Sequence, residues 1–117
     1  VSLVNRFFGL AGIPGVAIAS DVLYRIPVNR VKNTLLFKIV PLLEQQKKGF
    51  SAELAESLDS EFLTITFPTR SLSGKNVGMA GFYRDFIRAS FPEDRFRFCF
   101  DKEYQNELLY IIRRKKR

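Results

Sequence analysis

A loop that could bind an anion follows an apolar run in the middle of the chain. It reads FPTRSLSGKNVGM, from Phe67 to Met79. Cationic side chains hold phosphates, hydroxyls bond phosphate or sugar oxygens, and glycines let backbone amides approach an anion. The loop lacks P-loop spacing and no GxGxxG motif occurs, so nucleoside triphosphate chemistry is not indicated. Its candidate ligands are Arg70, Ser71, Ser73 and Lys75, with Gly74 and Gly78 beside them.

Two further polar clusters follow predicted strands, at Ser20-Asp21 and at Phe37-Lys38. In open α/β sheets, ligands bind beyond the carboxyl ends of the strands. Asp21 could accept a hydrogen bond from an amino group such as that of adenine, with Ser20 as a second polar contact, or it could simply start a turn. Lys38 would emerge at the sheet edge as a functional cation, or only extend its ammonium group into water.

The elements that would position these clusters follow an α/β order. We predict a mostly parallel sheet flanked by helices, with a closing antiparallel hairpin, in one domain over residues 1–117. Ser2 would cap the first helix, and Pro41 would begin a later one. The other predicted elements are a strand at Val16–Asp21, an inner strand at Thr34–Lys38, helices at Leu42–Lys48 and onward to about Leu58, a strand at Phe62–Phe67, a helix from Met79 through Ile87, and the hairpin strands Phe96–Phe100 and Leu108–Ile112.

The composition excludes several classes of protein. Hydrophobic residues make up 46% of the chain, which favours a packed core over disorder. No apolar run approaches the roughly 20 residues that span a bilayer, so we expect a cytoplasmic protein without a membrane partner. One cysteine and no histidine exclude a disulfide, a Cys/His metal site and a Ser-His or Cys-His hydrolase. We therefore predict no metal site.

The net charge of +7 indicates a polyanionic partner, and nucleic acid is the first candidate. Five of the positive charges form the terminal run Arg113–Arg117. This run would add affinity for RNA, or it would be only a solvated tail.

Two segments together resemble the aminoglycoside-resistance 16S ribosomal RNA methyltransferases. They are Leu36–Glu44 and Phe67–Met79, and Tyr83 lies just beyond. The likeness extends to Ser20-Asp21-Val22, where Ser20 replaces the glutamine of the family, and to the strand Glu107–Ile112. The glycine-rich motif of the family, which binds S-adenosylmethionine (SAM), lies upstream of anything in this chain.

The resemblance implies the carboxyl-terminal half of a Rossmann-like, SAM-dependent methyltransferase domain. Its implied activity is methylation of guanine N7 in the decoding site of 16S rRNA, within the 30S subunit. This chemistry suits a site without histidine, because N7 carries a free lone pair. The alternative is a non-catalytic RNA-binding or ribosome-associated module that has lost cofactor binding.

The resemblance also implies roles for individual residues. Met79 and Tyr83 would anchor the helix that follows the loop, and the loop would cover the mouth of the active site. The implied catalytic residues are Lys38 and Arg70, the cofactor-binding residues are Ser20, Asp21, Val22 and Phe37, and the RNA-binding residues are Arg70, Ser71, Lys75, Met79 and Tyr83.

Overall fold

The computed structural model describes residues 1–27, 30–69 and 79–115. Within these ranges a four-stranded sheet runs in the order β1-β2-β4-β3. No described helix is long and apolar enough to cross a bilayer. The elements are α1 (Ser2–Ala11), β1 (Val31–Phe37), α2 (Val40–Gln46), α3 (Phe50–Ser57), β2 (Ser60–Pro68), α4 (Met79–Ser90), β3 (Phe96–Glu103) and β4 (Glu107–Arg114).

The sheet is mixed. Strands β1 and β2 are parallel, with Leu36 opposite Ile65. Strand β4 lies antiparallel to both β2 and β3, with Thr66 opposite Leu109 in the first of these pairs. The α/β class and the closing hairpin are therefore confirmed, but the prediction of a mostly parallel sheet was wrong. The hairpin inserts its second strand beside β2, which makes two of the three pairings antiparallel.

Strand β1 lies at the edge of the described sheet, whereas the sequence predicts an inner strand. Its apolar sequence on both faces is typical of burial. Leu36 packs against the core, but Leu35 and Phe37 are 58% and 60% exposed. Pairing only with β2 leaves one side of β1 without a neighbour among the described residues.

The predicted strand Val16–Asp21 was also wrong, because the segment has no ladder partner in the described structure. Instead, the Ala17 N–H donates to Asn5 Oδ1 (2.7 Å), and Asn5 Nδ2 donates to the Ala17 carbonyl (2.9 Å). These two bonds tie the segment to α1. Helix α1 itself is confirmed, but Val1 occupies its N-cap position in place of the predicted Ser2.

The core lies between the sheet and helices α2, α3 and α4. The stripe predicted to face the sheet, namely Leu43, Phe50, Leu54 and Leu58, is buried, which confirms the pattern. From the sheet side, Ile65 and Tyr110 are fully buried. Burial raises the pKa of the Tyr110 hydroxyl above its ordinary value, so this phenol stays neutral at physiological pH.

The junction between α2 and α3 is fixed by one carboxylate. Glu44 accepts hydrogen bonds from the Gly49 N–H (2.6 Å), the Ser51 N–H (3.1 Å) and the Ser51 hydroxyl (2.6 Å). Partial burial raises the pKa of Glu44, but these bonds, with the charge of Lys48, outweigh that effect and lower the pKa overall. Glu44 thus satisfies amides at the start of α3 while ionised.

Candidate functional site

The parallel strands β1 and β2 end side by side, and Lys38 follows β1 directly. The Lys38 N–H lies 3.1 Å from both the carbonyl oxygen and the Oγ1 of Thr66, which accept from it. Thr66 is only 3% exposed, so this backbone position is anchored in the sheet. The Lys38 side chain is exposed at the carboxyl end of the strands, where ligands bind in α/β sheets.

The backbone of Lys38 is strained. Its φ of 57° lies in the left-handed region, and no other non-glycine residue in the described ranges has a positive φ. For a residue with a Cβ atom this conformation costs about 1–2 kcal/mol. Such strain concentrates at functional sites, where the surrounding structure holds it. Here the two bonds to Thr66 hold it, and they fix where the lysine side chain leaves the sheet.

Thr69 adds an unusual polar group to the same end of the sheet. It is 4% exposed, and its N–H donates to the Asn106 carbonyl (3.1 Å). Its hydroxyl is buried and has no hydrogen-bond partner in the described part of the chain. Buried hydroxyls are nearly always paired, because an unpaired one costs about 1–3 kcal/mol. We call Phe37, Lys38, Thr66 and Thr69 together the Lys38 end.

Tyr83 lies in the core beneath this end. It is 7% exposed and stacks on Phe67, with ring centroids 4.8 Å apart and planes at 22°. Burial raises the pKa of its hydroxyl. The position matches the predicted role of Tyr83 as an anchor for α4. A ring buried in this way offers little surface for the predicted contact with RNA, which stays a prediction.

Asp21 starts a turn that packs against the core. Its Oδ1 accepts a bond from the Leu23 N–H (3.1 Å), and its carbonyl accepts from the Tyr24 N–H (3.0 Å). This is the turn role left open by the sequence. The second carboxylate oxygen of the exposed Asp21 has no partner among the described residues. Val22 is half-buried against the core, and Ser20 is exposed.

Several predicted site residues lie outside the described residues. They are Arg70, Ser71 and Lys75, together with Ser73, Gly74 and Gly78. Met79 begins α4, but its side chain is also outside the description. The structure therefore brings Phe37 and Lys38 together at one end of the sheet and leaves the loop predictions as predictions. No hydrogen bond or ion pair joins the Asp21 turn to Lys38 within the described ranges.

Sequence reasoning missed Thr66 and Thr69. Thr66 falls within the predicted strand Phe62–Phe67 and Thr69 within the predicted loop, and neither is among the predicted site residues. The available signal was a threonine on each side of Pro68. Proline cannot donate to the ladder, so Pro68 marks the end of the strand. No three His, Cys, Asp or Glu side chains in the described ranges form a metal-binding group.

Comparison with known proteins assigns the fold to a family. The ribosomal RNA methyltransferase (FmrO) family matches residues 1–111. The chain belongs to this family. The resemblance carried by Leu36–Glu44 and Phe67–Met79 is therefore confirmed.

Two relatives carry the same name. A 16S rRNA (guanine(1405)-N(7))-methyltransferase of Frankia casuarinae is 39% identical over 76% of this chain and 31% of its own length. A protein of that name from Serratia marcescens is 34% identical over 80% of this chain and 37% of its own length. The chain thus spans about a third of these relatives.

Solved structures share the fold. The 16S rRNA methyltransferase RmtF, crystallised in complex with S-adenosyl-L-homocysteine, matches 98% of this chain and 44% of its own, with 37% identity and a TM-score of 0.89. An rRNA methylase from Escherichia coli matches 97% of this chain and 44% of its own, with 25% identity and a TM-score of 0.83. The mixed sheet is therefore an arrangement found in rRNA methylases.

Proposed function

We propose that this chain forms the carboxyl-terminal part of a catalytic domain that methylates N7 of a guanine in 16S rRNA, with SAM as methyl donor. One observation carries the proposal. RmtF, solved in complex with S-adenosyl-L-homocysteine, matches 98% of the chain at a TM-score of 0.89. S-Adenosyl-L-homocysteine is the product that SAM leaves after giving up its methyl group.

The described residues fit part of a SAM site. Asp21 uses one carboxylate oxygen inside its own turn, and the other is open to a donor such as the adenine amino group. Phe37, which is 60% exposed, offers an apolar surface at the end of β1. Val22 fixes the turn to the core, and Ser20 stands exposed before it. Together these four residues form the adenine side of the proposed site.

Methyl transfer to guanine N7 depends on the placement of the reactants and on the charges around them. SAM supplies a methyl group on a positively charged sulfur. Guanine N7 attacks with its own lone pair, so the protein needs no general base. The remaining tasks are alignment of the reactants and electrostatic stabilisation of the transition state, which can lower the activation free energy by several kcal/mol. Lys38 suits the alignment task, because its strained backbone is held by Thr66 and its ammonium group, at the end of the sheet, could bond an acceptor oxygen of the target guanine or its phosphate.

The loop from Arg70 to Lys75 would hold the RNA. Arg70 and Lys75 would contact phosphates, and Ser71 would bond a phosphate or sugar oxygen. Tyr83 stacks on Phe67, so α4, which follows the loop, is held to β2, which precedes it. The 30S subunit is the proposed substrate, within the cytoplasm.

A chimera tests this function. The segment of the Serratia marcescens relative that matches this chain would be replaced by the chain, and the purified chimera incubated with SAM and 30S subunits. Borohydride and aniline cleave RNA at 7-methylguanosine, so the expected result is a SAM-dependent cleavage band in 16S rRNA, at the same nucleotide as for the parent enzyme.

The control separates loss of chemistry from loss of folding. Calorimetry with S-adenosyl-L-homocysteine and a thermal melt report whether the chimera is intact. A folded chimera that binds this ligand and 30S subunits but leaves no 7-methylguanosine would contradict the proposal. It would favour the non-catalytic RNA-binding module.

A further inference from the structure

A second concentration of charge lies at the opposite end of the sheet from Lys38. Two adjoining depressions there have volumes of about 950 and 360 Å³ and share Glu61, Arg114 and Lys115 in their walls. They lie where β1 and β2 begin and where β4 ends. Their walls carry six cations, which we call the basic end: Arg30, Lys32, Arg97, Arg113, Arg114 and Lys115.

From the sequence, the run Arg113–Arg117 could be only a solvated tail. The structure excludes a solvated tail for the first two residues of the run. Arg113 and Arg114 are the last residues of β4. Arg114 Nη2 donates to the Ala55 carbonyl, and Lys115 Nζ donates to the Glu93 carbonyl (2.6 Å). These cations are held in place by neutral carbonyl groups, which do not offset their charge.

Carboxylates offset only part of the positive charge of the basic end. Arg30 pairs with Asp59 (3.1 Å), and Arg113 pairs with Glu61 (2.9 Å). Arg113 also lies over the Phe62 ring, 5.5 Å from its centroid. For the Arg97 side chain the described structure contains no ion pair or hydrogen bond. Arg97 is thus an exposed guanidinium with all its donors available.

Arg97 stands directly opposite Arg113 in the β3–β4 ladder. Like charges in this arrangement repel each other and weaken a sheet. An anion between them would turn the repulsion into attraction, and the planar guanidinium forks suit the oxygens of a phosphate. Glu61 already pairs with Arg113, but Arg97 beside it has no described carboxylate, so the two arginines together can still accommodate a phosphate.

We propose that the Arg97–Arg113 pair and the surrounding basic end bind the phosphate backbone of RNA at a second contact, remote from the Lys38 end. This inference rests on the proposed function for the identity of the RNA. Arg97 is about five residues along the strands and three strand spacings away from Lys38, roughly 22 Å in all. One RNA helix could reach both ends, with bases approaching the first and only backbone approaching the second.

The test measures RNA affinity of the full chain at several salt concentrations. Fluorescence anisotropy with a labelled hairpin of the 16S decoding-site sequence would compare the parent with the double variant Arg97→Gln/Arg113→Gln. Each phosphate contact contributes about 0.9 to the slope of log affinity against log salt. We expect the slope of the double variant to be shallower by about 2, so that its deficit in affinity is about tenfold larger at roughly 50 mM than at roughly 200 mM salt.

Two further variants keep the result interpretable. Lys48→Gln removes one exposed charge from the turn before α3 and should leave the slope unchanged. Arg97→Gln alone should lower RNA affinity while the melting temperature stays the same or rises, because the repulsion with Arg113 is relieved. A residue with only a structural role would lower both quantities together.

The outcomes separate this inference from the proposed function. RNA binding with an unchanged salt slope in the double variant, or an equal change in Lys48→Gln, would overturn the second contact alone. No binding of the hairpin by the parent chain would also overturn the second contact, whereas the proposed function is decided by the chimera. Loss of methylation in the chimera with the slope effect intact would overturn only the proposed function.

Discussion

The two ends of the sheet are built in opposite ways. At the Lys38 end a single cation leaves a strained backbone, and it is backed by the buried Thr66 and Thr69. At the basic end six cations stand on strands or directly beside their ends, at residues without a positive φ, and they are partly compensated by carboxylates. The first end fixes the direction of one group, whereas the second supplies positive charge over a wide surface.

This difference separates positioning from affinity. A group that acts on a reacting atom must be held within a fraction of an ångström, and the surrounding fold must bear the cost of holding it. A surface that attracts a phosphate backbone works through summed charge and tolerates loose geometry. Substitutions at the Lys38 end should therefore alter stability and rate, and those at the basic end should alter salt-dependent affinity.

The largest expected effect comes from the aromatic support of the Lys38 end. Phe67 is fully buried and stacks on Tyr83, so Phe67→Ala should destabilise the fold by about 3–5 kcal/mol. The matched change at the basic end is Phe62→Ala, since Phe62 lies on the same strand but is only half-buried. Urea unfolding should give Phe62→Ala roughly half the loss or less. Equal losses in the free energy of unfolding would mean that Phe67 and Phe62 contribute equally to the core.

The strain at Lys38 gives the next largest effect. Glycine adopts a positive φ freely, so Lys38→Gly should raise the free energy of unfolding, by up to about 1 kcal/mol once the greater freedom of the unfolded chain is subtracted. Lys38→Ala keeps the Cβ atom and should leave stability nearly unchanged. Denaturant midpoints decide the matter, and a Lys38→Gly variant less stable than Lys38→Ala would show that the backbone is not strained.

The smallest effect belongs to a carboxylate outside both ends. Because the hydrogen bonds of Glu44 hold its pKa below the ordinary value, its ionised form stabilises the folded state. That contribution is complete above the unfolded pKa of roughly 4.3 and disappears as pH falls through the folded pKa.

Glu44→Gln should therefore destabilise the chain most near neutral pH, by about 0.5 kcal/mol, the low end for a lost cap, because glutamine keeps one acceptor oxygen. The difference from the parent should narrow steadily below about pH 4. Thermal melts over this pH range measure it. A difference that stayed constant with pH would show that the Glu44 hydrogen bonds do not depend on its charge.

The fold was predictable where local signals were strong. Pro41 marked the first turn of α2, and the buried stripe Leu43, Phe50, Leu54 and Leu58 followed helical spacing. The alternation of Phe96 and Phe98 with arginines marked a strand of the hairpin. These features depend on a few neighbouring residues, so one sequence was enough to find them.

Features set by distant partners were not predictable. The run Val16–Asp21 has the composition of a strand, but Asn5 takes the hydrogen bonds of Ala17. The edge position of β1 depends on which strands pair with it. At the candidate site, Asp21 and Lys38 were found through the resemblance and their place after predicted strands. The positive φ of Lys38 was not predictable from the sequence, because Lys38 is held there by bonds to Thr66 on the neighbouring strand.

The most direct test of the account is the rate of methyl transfer by the chimera carrying Lys38→Ala, measured in a single turnover at saturating SAM and 30S subunits. Alanine keeps the Cβ atom, and with it the backbone strain, but it removes the cation. A misplaced substrate can lower a rate about a hundredfold. The account predicts a loss of that order with affinity for S-adenosyl-L-homocysteine retained, and no loss in the control Lys48→Ala. A Lys38→Ala chimera that methylates guanine N7 at the parental rate would contradict it.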